Sequence, residues 1–275
     1  MTRRPTVPLL VALACVLGIV VTGVLALDVA AVHTRDAAAL HGFTDLDRPR
    51  VHGLFVLTAG LMDPVPYGLM GMVLAWFALR SGRRARAVSV VVLLVATGAT
   101  TQVLKHVVSS PRFDGWLGDD QVGPSAFPSG HSTAAMTLAL CFVLVAPPAR
   151  RALAATVAGL GAAAVGYSLV VLAWHYPSDV LAGYLVAGAW TAAALAVLRL
   201  VEARLDRGPI ARDPRVLVGL AAGPTVALGA AALTLIVARG REATLYAAER
   251  PTLVACALAI AALAGALAAG FAREA

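Results

Sequence analysis

The chain is predicted to be all-α, a polytopic helix bundle that crosses a membrane, and two observations carry that class. Of its 275 residues 60% are hydrophobic and 13% charged, where soluble domains carry about 25% charge, and the mean hydropathy is +0.83. Several apolar runs also approach or exceed the ~20 residues that a helix needs to cross hydrocarbon. The net charge of +7 fits an excess of arginine in loops on one side of a bilayer, so nucleic acid is not expected as a partner.

The first apolar run covers residues 8–27, behind Arg3 and Arg4. A cleaved signal peptide has a shorter apolar region of about 7–15 residues, so an uncleaved first helix is expected. A polar connection over 28–52 follows, carrying His33, Arg35, His41, Arg48, Arg50 and His52. The second span, 54–79, ends at Arg80, Arg83, Arg84 and Arg86. Asp63 falls inside it, where an ionisable group is expensive and usually faces a polar cavity. Pro64 and Pro66 should break the helix there. Asp63 then reads either as a substrate-cavity residue, paired with Lys105, or as part of a structural kink or a shallower helix start.

Four further spans are expected over 87–107, 130–146, 152–173 and 179–200. A basic linker from Arg199 to Arg215, with Pro209 and Pro214, leads to two more, over 216–238 and 251–271, joined by a turn with Arg239, Arg241 and Arg250. The total is about eight spans with both termini cytoplasmic. In that orientation about 14 of the 22 Lys and Arg residues lie on the cytoplasmic side. Residues 1–205 form the six-helix core, and 206–275 the linker with a C-terminal helix pair. Ala162 with Gly166 and Gly183 with Ala187 have the spacing that lets helices approach closely. Cys15, Cys141 and Cys256 lack metal or redox spacing and read as small buried hydrophobes.

Polar residues that packing explains least fall at three places. Phe127-Pro128-Ser129-Gly130-His131-Ser132-Thr133 places a helix N-cap at Ser129 and a glycine that lets a ligand near the free N–H groups of the next helix. Lys105 and Arg112 frame Lys105-His106-Val107-Val108-Ser109-Ser110-Pro111-Arg112 at the end of the third span, and Lys105 is the only lysine in the chain. Both can neutralise a phosphate, although interfacial cations also snorkel toward lipid headgroups. His175 and Asp179 are four residues apart, so the carboxylate can orient one imidazole nitrogen; plain capping of the sixth helix is the alternative.

In order and interval these residues resemble the type-2 phosphatidic acid phosphatase superfamily, whose pattern is K-x6-R-P, P-S-G-H and S-R-x5-H-x3-D. Lys105 and Arg112 fit the first element, Pro128-Ser129-Gly130-His131 the second, and Ser168, His175 and Asp179 the third. The match spans roughly residues 100–185. Phe113 replaces the proline of the first element, and Leu169 replaces an arginine that helps to hold the phosphate in the family.

The resemblance implies a membrane lipid phosphatase that needs neither metal nor cofactor. His175 would take the phosphoryl group, Asp179 would orient it, and His131 would protonate the leaving oxygen and then activate water. Lys105, Arg112, Ser129 and the Gly130 amide would bind phosphate oxygens. Arg48, Arg50 or Arg241 could replace the missing arginine, with Arg48 or Arg50 favoured. The implied site faces outward from the cytoplasmic membrane, and the implied partners are a lipid phosphate and the bilayer. Polyprenyl diphosphate, phosphatidic acid and phosphatidylglycerophosphate are the substrate classes in view. Leu169 keeps open a lipid-phosphate binder or transporter with little turnover, and phosphotransfer to an acceptor other than water is a further variant. Oligomeric state is not legible.

Overall fold

A computed structural model describes residues 5–112, 114–117, 122–204, 242 and 244–275, with no strand among them. The first helix, α1 (Thr6–Asp28), lies antiparallel to α8 (Pro177–Arg204), with Gly18 against Leu185 and Cys15 against Gly188. The connection expected over 28–52 is instead largely helical, as α2 (Ala30–Thr44) and the start of α3 (Pro49–Gly60). Alanines 30, 31 and 37–39 favour helix, and buried Asp36, Leu40 and Phe43 recur on one helical face.

The second expected span divides into α3 and α4 (Pro64–Arg80), bent by 56°. Asp63 precedes Pro64 and has extended backbone, the conformation that a following proline imposes. The chain continues through α5 (Arg84–Val107), α6 (Gly130–Val145), α7 (Arg151–Val171), α8 and α9 (Pro251–Glu274). Among the described residues, α1, α5, α7, α8 and α9 are long and apolar enough to cross a membrane, and the bent pair is a sixth candidate. Apolar side chains such as Leu13, Val20, Leu69, Trp76, Val91 and Val95 point outward, as a lipid-facing surface requires. The molecule is a multi-pass membrane protein. The span expected over 216–238 lies outside the described residues.

The central helix is α6. Its 16 residues extend about 24 Å, less than the ~30 Å hydrocarbon core, and α5, α7 and α8 pack around it. At its C-terminal end Arg86 and Arg83 donate to the Leu144 and Val145 carbonyls, at 2.7 and 2.9 Å, a favourable place for cations. Arg86 also donates to the Ala275 carbonyl, and Arg199 pairs with Glu274. The arginine clusters, the start of α1 and the end of α9 therefore share the end of the bundle opposite the α6 N-terminus.

Small residues make the close contacts expected of them. A Cβ on Gly166 would fall 2.3 Å from the Tyr184 hydroxyl, which donates to the Ala162 carbonyl. A Cβ on Gly183 would fall 2.1 Å from Ser132 Oγ. The last helix, α9, shares the main core through Ile260, Ala264, Leu267 and Phe271, and Tyr167 donates to its Ala257 carbonyl at 2.7 Å.

Candidate functional site

The site is assembled at the N-terminus of α6. Ser129 is the N-cap, buried, with its hydroxyl oxygen accepting the Ser132 N–H at 3.3 Å. Its own N–H donates to the Asp179 carbonyl at 3.0 Å, which fixes the first turn of α6 against the first turn of α8. Gly130 and His131 follow. Lys105, in the last turn of α5, brings Nζ to 3.9 Å from where a Gly130 Cβ would stand. A cation and a helix N-terminus thus converge on one small volume, the arrangement that favours an anion.

The third element depends on how α7 ends. Ala173 has φ 54°, a conformation uncommon for a residue with a side chain, and the Trp174 N–H returns to the Leu169 carbonyl at 3.0 Å. This turn delivers His175 and starts α8 at Pro177. Asp179 is fully buried. Its Oδ2 accepts the Tyr176 N–H at 3.0 Å and lies 3.6 Å from His175 Nδ1. That separation is beyond hydrogen-bond range, and Nδ1 has no other partner among the described residues. Burial lowers the His175 pKa, while Asp179 opposes the shift and the charges of Lys105 and His131 add to it. The charged form of the ring is therefore disfavoured.

Arg112 is buried beside this pair. Nη2 donates to Asp179 Oδ1 at 2.6 Å, and the guanidinium lies 3.9 Å from the centre of the Tyr176 ring. Nη1 is 3.4 Å from Ser178 Oγ and 3.6 Å from Asp36 Oδ2. Tyr176 donates its hydroxyl to Asp114. Asp36 and Asp114 carry no motif signal of a site in the sequence, and Tyr176 and Ser178 stand in the third motif with at most a capping role expected of Ser178. The four-residue periodicity from Asp36 to Leu40 was the available signal for a carboxylate on the inner face of a helix.

Asp63 is near the site, with a different partner from the one expected. Its Oδ1 lies 3.1 Å from His131 Nε2, whereas pairing with Lys105 was anticipated. The helix break explains this, since it exposes the Asp63 side chain at the level where α6 begins. Trp174 sits on another side of His131, with ring centres 5.8 Å apart.

Lys105, Arg112, Ser129, Gly130, His131, His175 and Asp179 are thus brought together. Arg48 and Arg50 are not. Both are exposed at the start of α3, where the charge of Arg48 acts on Tyr246. Arg241 lies outside the described residues. Leu169 is fully buried in the hydrophobic core, and the cations acting on His175 and Asp179 among the described residues are Lys105 and Arg112.

The fold matches a crystal structure titled as the first transmembrane PAP2 type phosphatidylglycerolphosphate phosphatase from Bacillus subtilis, with a TM-score of 0.60 and 18% identity. The match covers 72% of this chain and 99% of that one. A comparison with curated proteins found no match. The model of the PAP2 superfamily matches residues 86–202, from the start of α5 nearly to the end of α8. Those residues hold Lys105, Arg112, Ser129, His131, His175 and Asp179, so the segment that matches the PAP2, or type-2 phosphatidic acid phosphatase, superfamily is the one that carries the site.

Proposed function

We propose that this protein is a lipid phosphatase that removes phosphate from a lipid phosphate or diphosphate without a metal, through a phosphohistidine at His175. The observation that carries the reading is the buried His175 beside Asp179, with Lys105, His131 and the α6 N-terminus around it. His175 Nε2 attacks phosphorus and the bond to the lipid oxygen breaks, while protonated His131 gives that oxygen its proton. Asp179 stabilises the positive charge that develops on the ring. His131, now neutral, takes a proton from water; the water oxygen attacks phosphorus, the P–N bond breaks and inorganic phosphate leaves. Lys105, Arg112 and backbone N–H groups offset charge on the phosphoryl oxygens, the main requirement of phosphoryl transfer.

The site lies at the end of the bundle opposite the arginine clusters, and arginine-rich loops favour the cytoplasm. This supports an active site facing outward from the cytoplasmic membrane. Phosphatidylglycerophosphate, phosphatidic acid and polyprenyl diphosphate are the substrates to compare. Phosphate release by purified protein in detergent, with a chelator present, tests the reading beside His175→Ala. Release by the wild type that the substitution abolishes is expected; equal release by both excludes His175 as nucleophile.

A second reading is a lipid-phosphate binder with little turnover. It is supported by the buried Leu169 where the superfamily pattern has arginine, and by the engagement of Arg112 with Asp179. Specific lipid binding that survives His175→Ala, with no release from any of the three lipids, is the outcome that selects it.

A further inference from the structure

Asp36 belongs to none of the motif elements and stands on α2, outside the segment that carries the superfamily match. It is nevertheless buried against the first turn of α8. Oδ1 accepts the Ser178 N–H at 3.1 Å and Oδ2 accepts the Ser178 hydroxyl at 2.5 Å. A carboxylate is favoured at a helix N-terminus, where backbone donors lack partners within the helix. Oδ2 also lies 3.6 Å from Arg112 Nη1, while Asp179 takes Nη2 of the same guanidinium.

Two carboxylates therefore face one guanidinium. Arg112 is held from both sides and stacked on Tyr176, and the local charge of Asp36, Asp179 and Arg112 sums to a net negative. An arriving phosphate must draw donors away from these carboxylates, and it must do so without an arginine at position 169.

We propose that Asp36 is a positioning residue of the phosphate site: it keeps Arg112 in line with Asp179 and limits how tightly Arg112 holds a phosphate. The inference rests on the phosphatase reading for its ligand class, and it concerns phosphate affinity rather than turnover. Weak retention suits an enzyme whose product is inorganic phosphate.

The pair has a pH signature. Burial pushes Asp36 up to about 6, Asp179 adds to the shift, and Arg112 and Ser178 oppose it. The groups acting with it are Arg112 from the loop after α5, Ser178 and Asp179 from α8, and Cys256 from α9; its own helix carries His33 and Arg35. Below about pH 6 Asp36 is neutral and competes little for Arg112. Above it the carboxylate is charged and phosphate affinity falls.

The test uses the full chain in detergent and inorganic phosphate as the probe, with binding measured by calorimetry from pH 5 to pH 8. At pH 7.5 Asp36→Asn should bind phosphate roughly tenfold more tightly than wild type, the scale of one nearby charge. The ratio should approach one at pH 5, which cancels the ionisation of phosphate itself, and it should also fall to one in an Arg112→Ala background. A folded Asp36→Asn protein with unchanged affinity, or with a ratio independent of pH, overturns the proposal. If that variant does not fold, Ser178→Ala decides. It removes a hydrogen bond that lowers the Asp36 pKa, so the fall in phosphate affinity must move to higher pH, and an unmoved profile overturns the proposal. Since no turnover is read, a chain that hydrolyses no lipid can still pass this test, and an active phosphatase can fail it.

Discussion

Arg112 donates to Asp179 across 2.6 Å with both side chains buried, so the loop after α5 is bound to the same carboxylate that faces His175. Removing one member of a buried ion pair leaves the other uncompensated, a loss of about 3–5 kcal/mol. Arg112→Ala should therefore lower stability by about that amount as well as weaken phosphate binding. Arg112→Lys keeps the charge but loses the planar fork and the stacking on Tyr176. Chemical unfolding in detergent should rank wild type above Arg112→Lys above Arg112→Ala; equal stability of all three would remove the structural part of this pair's role.

The disfavoured charge on His175 predicts an acid limb. Burial lowers its pKa from the ordinary 6.5, so the nucleophile stays unprotonated to lower pH than an exposed imidazole. kcat/KM should fall with a limb below pH 6.5 as pH decreases. Between the lowered folded value and 6.5 the unfolded chain binds more protons than the native one. This contribution to stability is thus present above pH 6.5 and lost as pH falls through the folded pKa. An acid limb, a fall in rate as pH decreases, centred well above 6.5 contradicts the assignment to His175.

His131 and Asp63 are 3.1 Å apart, which predicts that Asp63 orients the proton donor. His131→Ala should cost about 10²–10⁴ in kcat, the range of general acid–base catalysis. Asp63→Asn should cost less, because the imidazole remains, and should act mainly on kcat. Steady-state kinetics separate the cases: an effect of Asp63→Asn confined to KM would place it on substrate binding instead.

Gly183 is where α8 meets α6. A Cβ there would lie 2.1 Å from Ser132 Oγ and 2.7 Å from the Ser129 carbonyl, so Gly183→Ala must push the first turn of α6 away. Overpacking of this kind costs about 1–3 kcal/mol. Activity should fall with it, since Ser129 and Gly130 move. A variant with wild-type melting temperature and turnover would show that the contact is slack.

The motif residues were legible because their spacing is local to helix ends. Ser129 caps α6 as its position before Gly130 implied, and the short interval from His175 to Asp179 keeps both at the start of α8, with His175 just ahead of its first turn. The long-range partners were not legible. Asp36 meets Ser178 and Asp63 meets His131 across the fold, and no spacing rule pairs residues so distant in sequence. The connection over 28–52 was read as polar chain because His33, Arg35 and His41 dominate it, yet buried Asp36, Leu40 and Phe43 already lie on one helical face. Asp63 meets His131 where the cavity reading expects Lys105: the break at Pro64 is readable from the sequence, but the angle at which α4 leaves α3 is not.

The central claim is that a phosphoryl group passes through His175, and trapping it is the most direct measurement. The full chain is incubated with a lipid phosphate carrying labelled phosphorus, quenched during turnover and separated under denaturing conditions. The account predicts label on the wild-type chain, stable to alkali and released by acid as a phosphoramidate is, and none on His175→Ala. Label that persists on His175→Ala, or wild-type turnover with no label at any quench time, would contradict it.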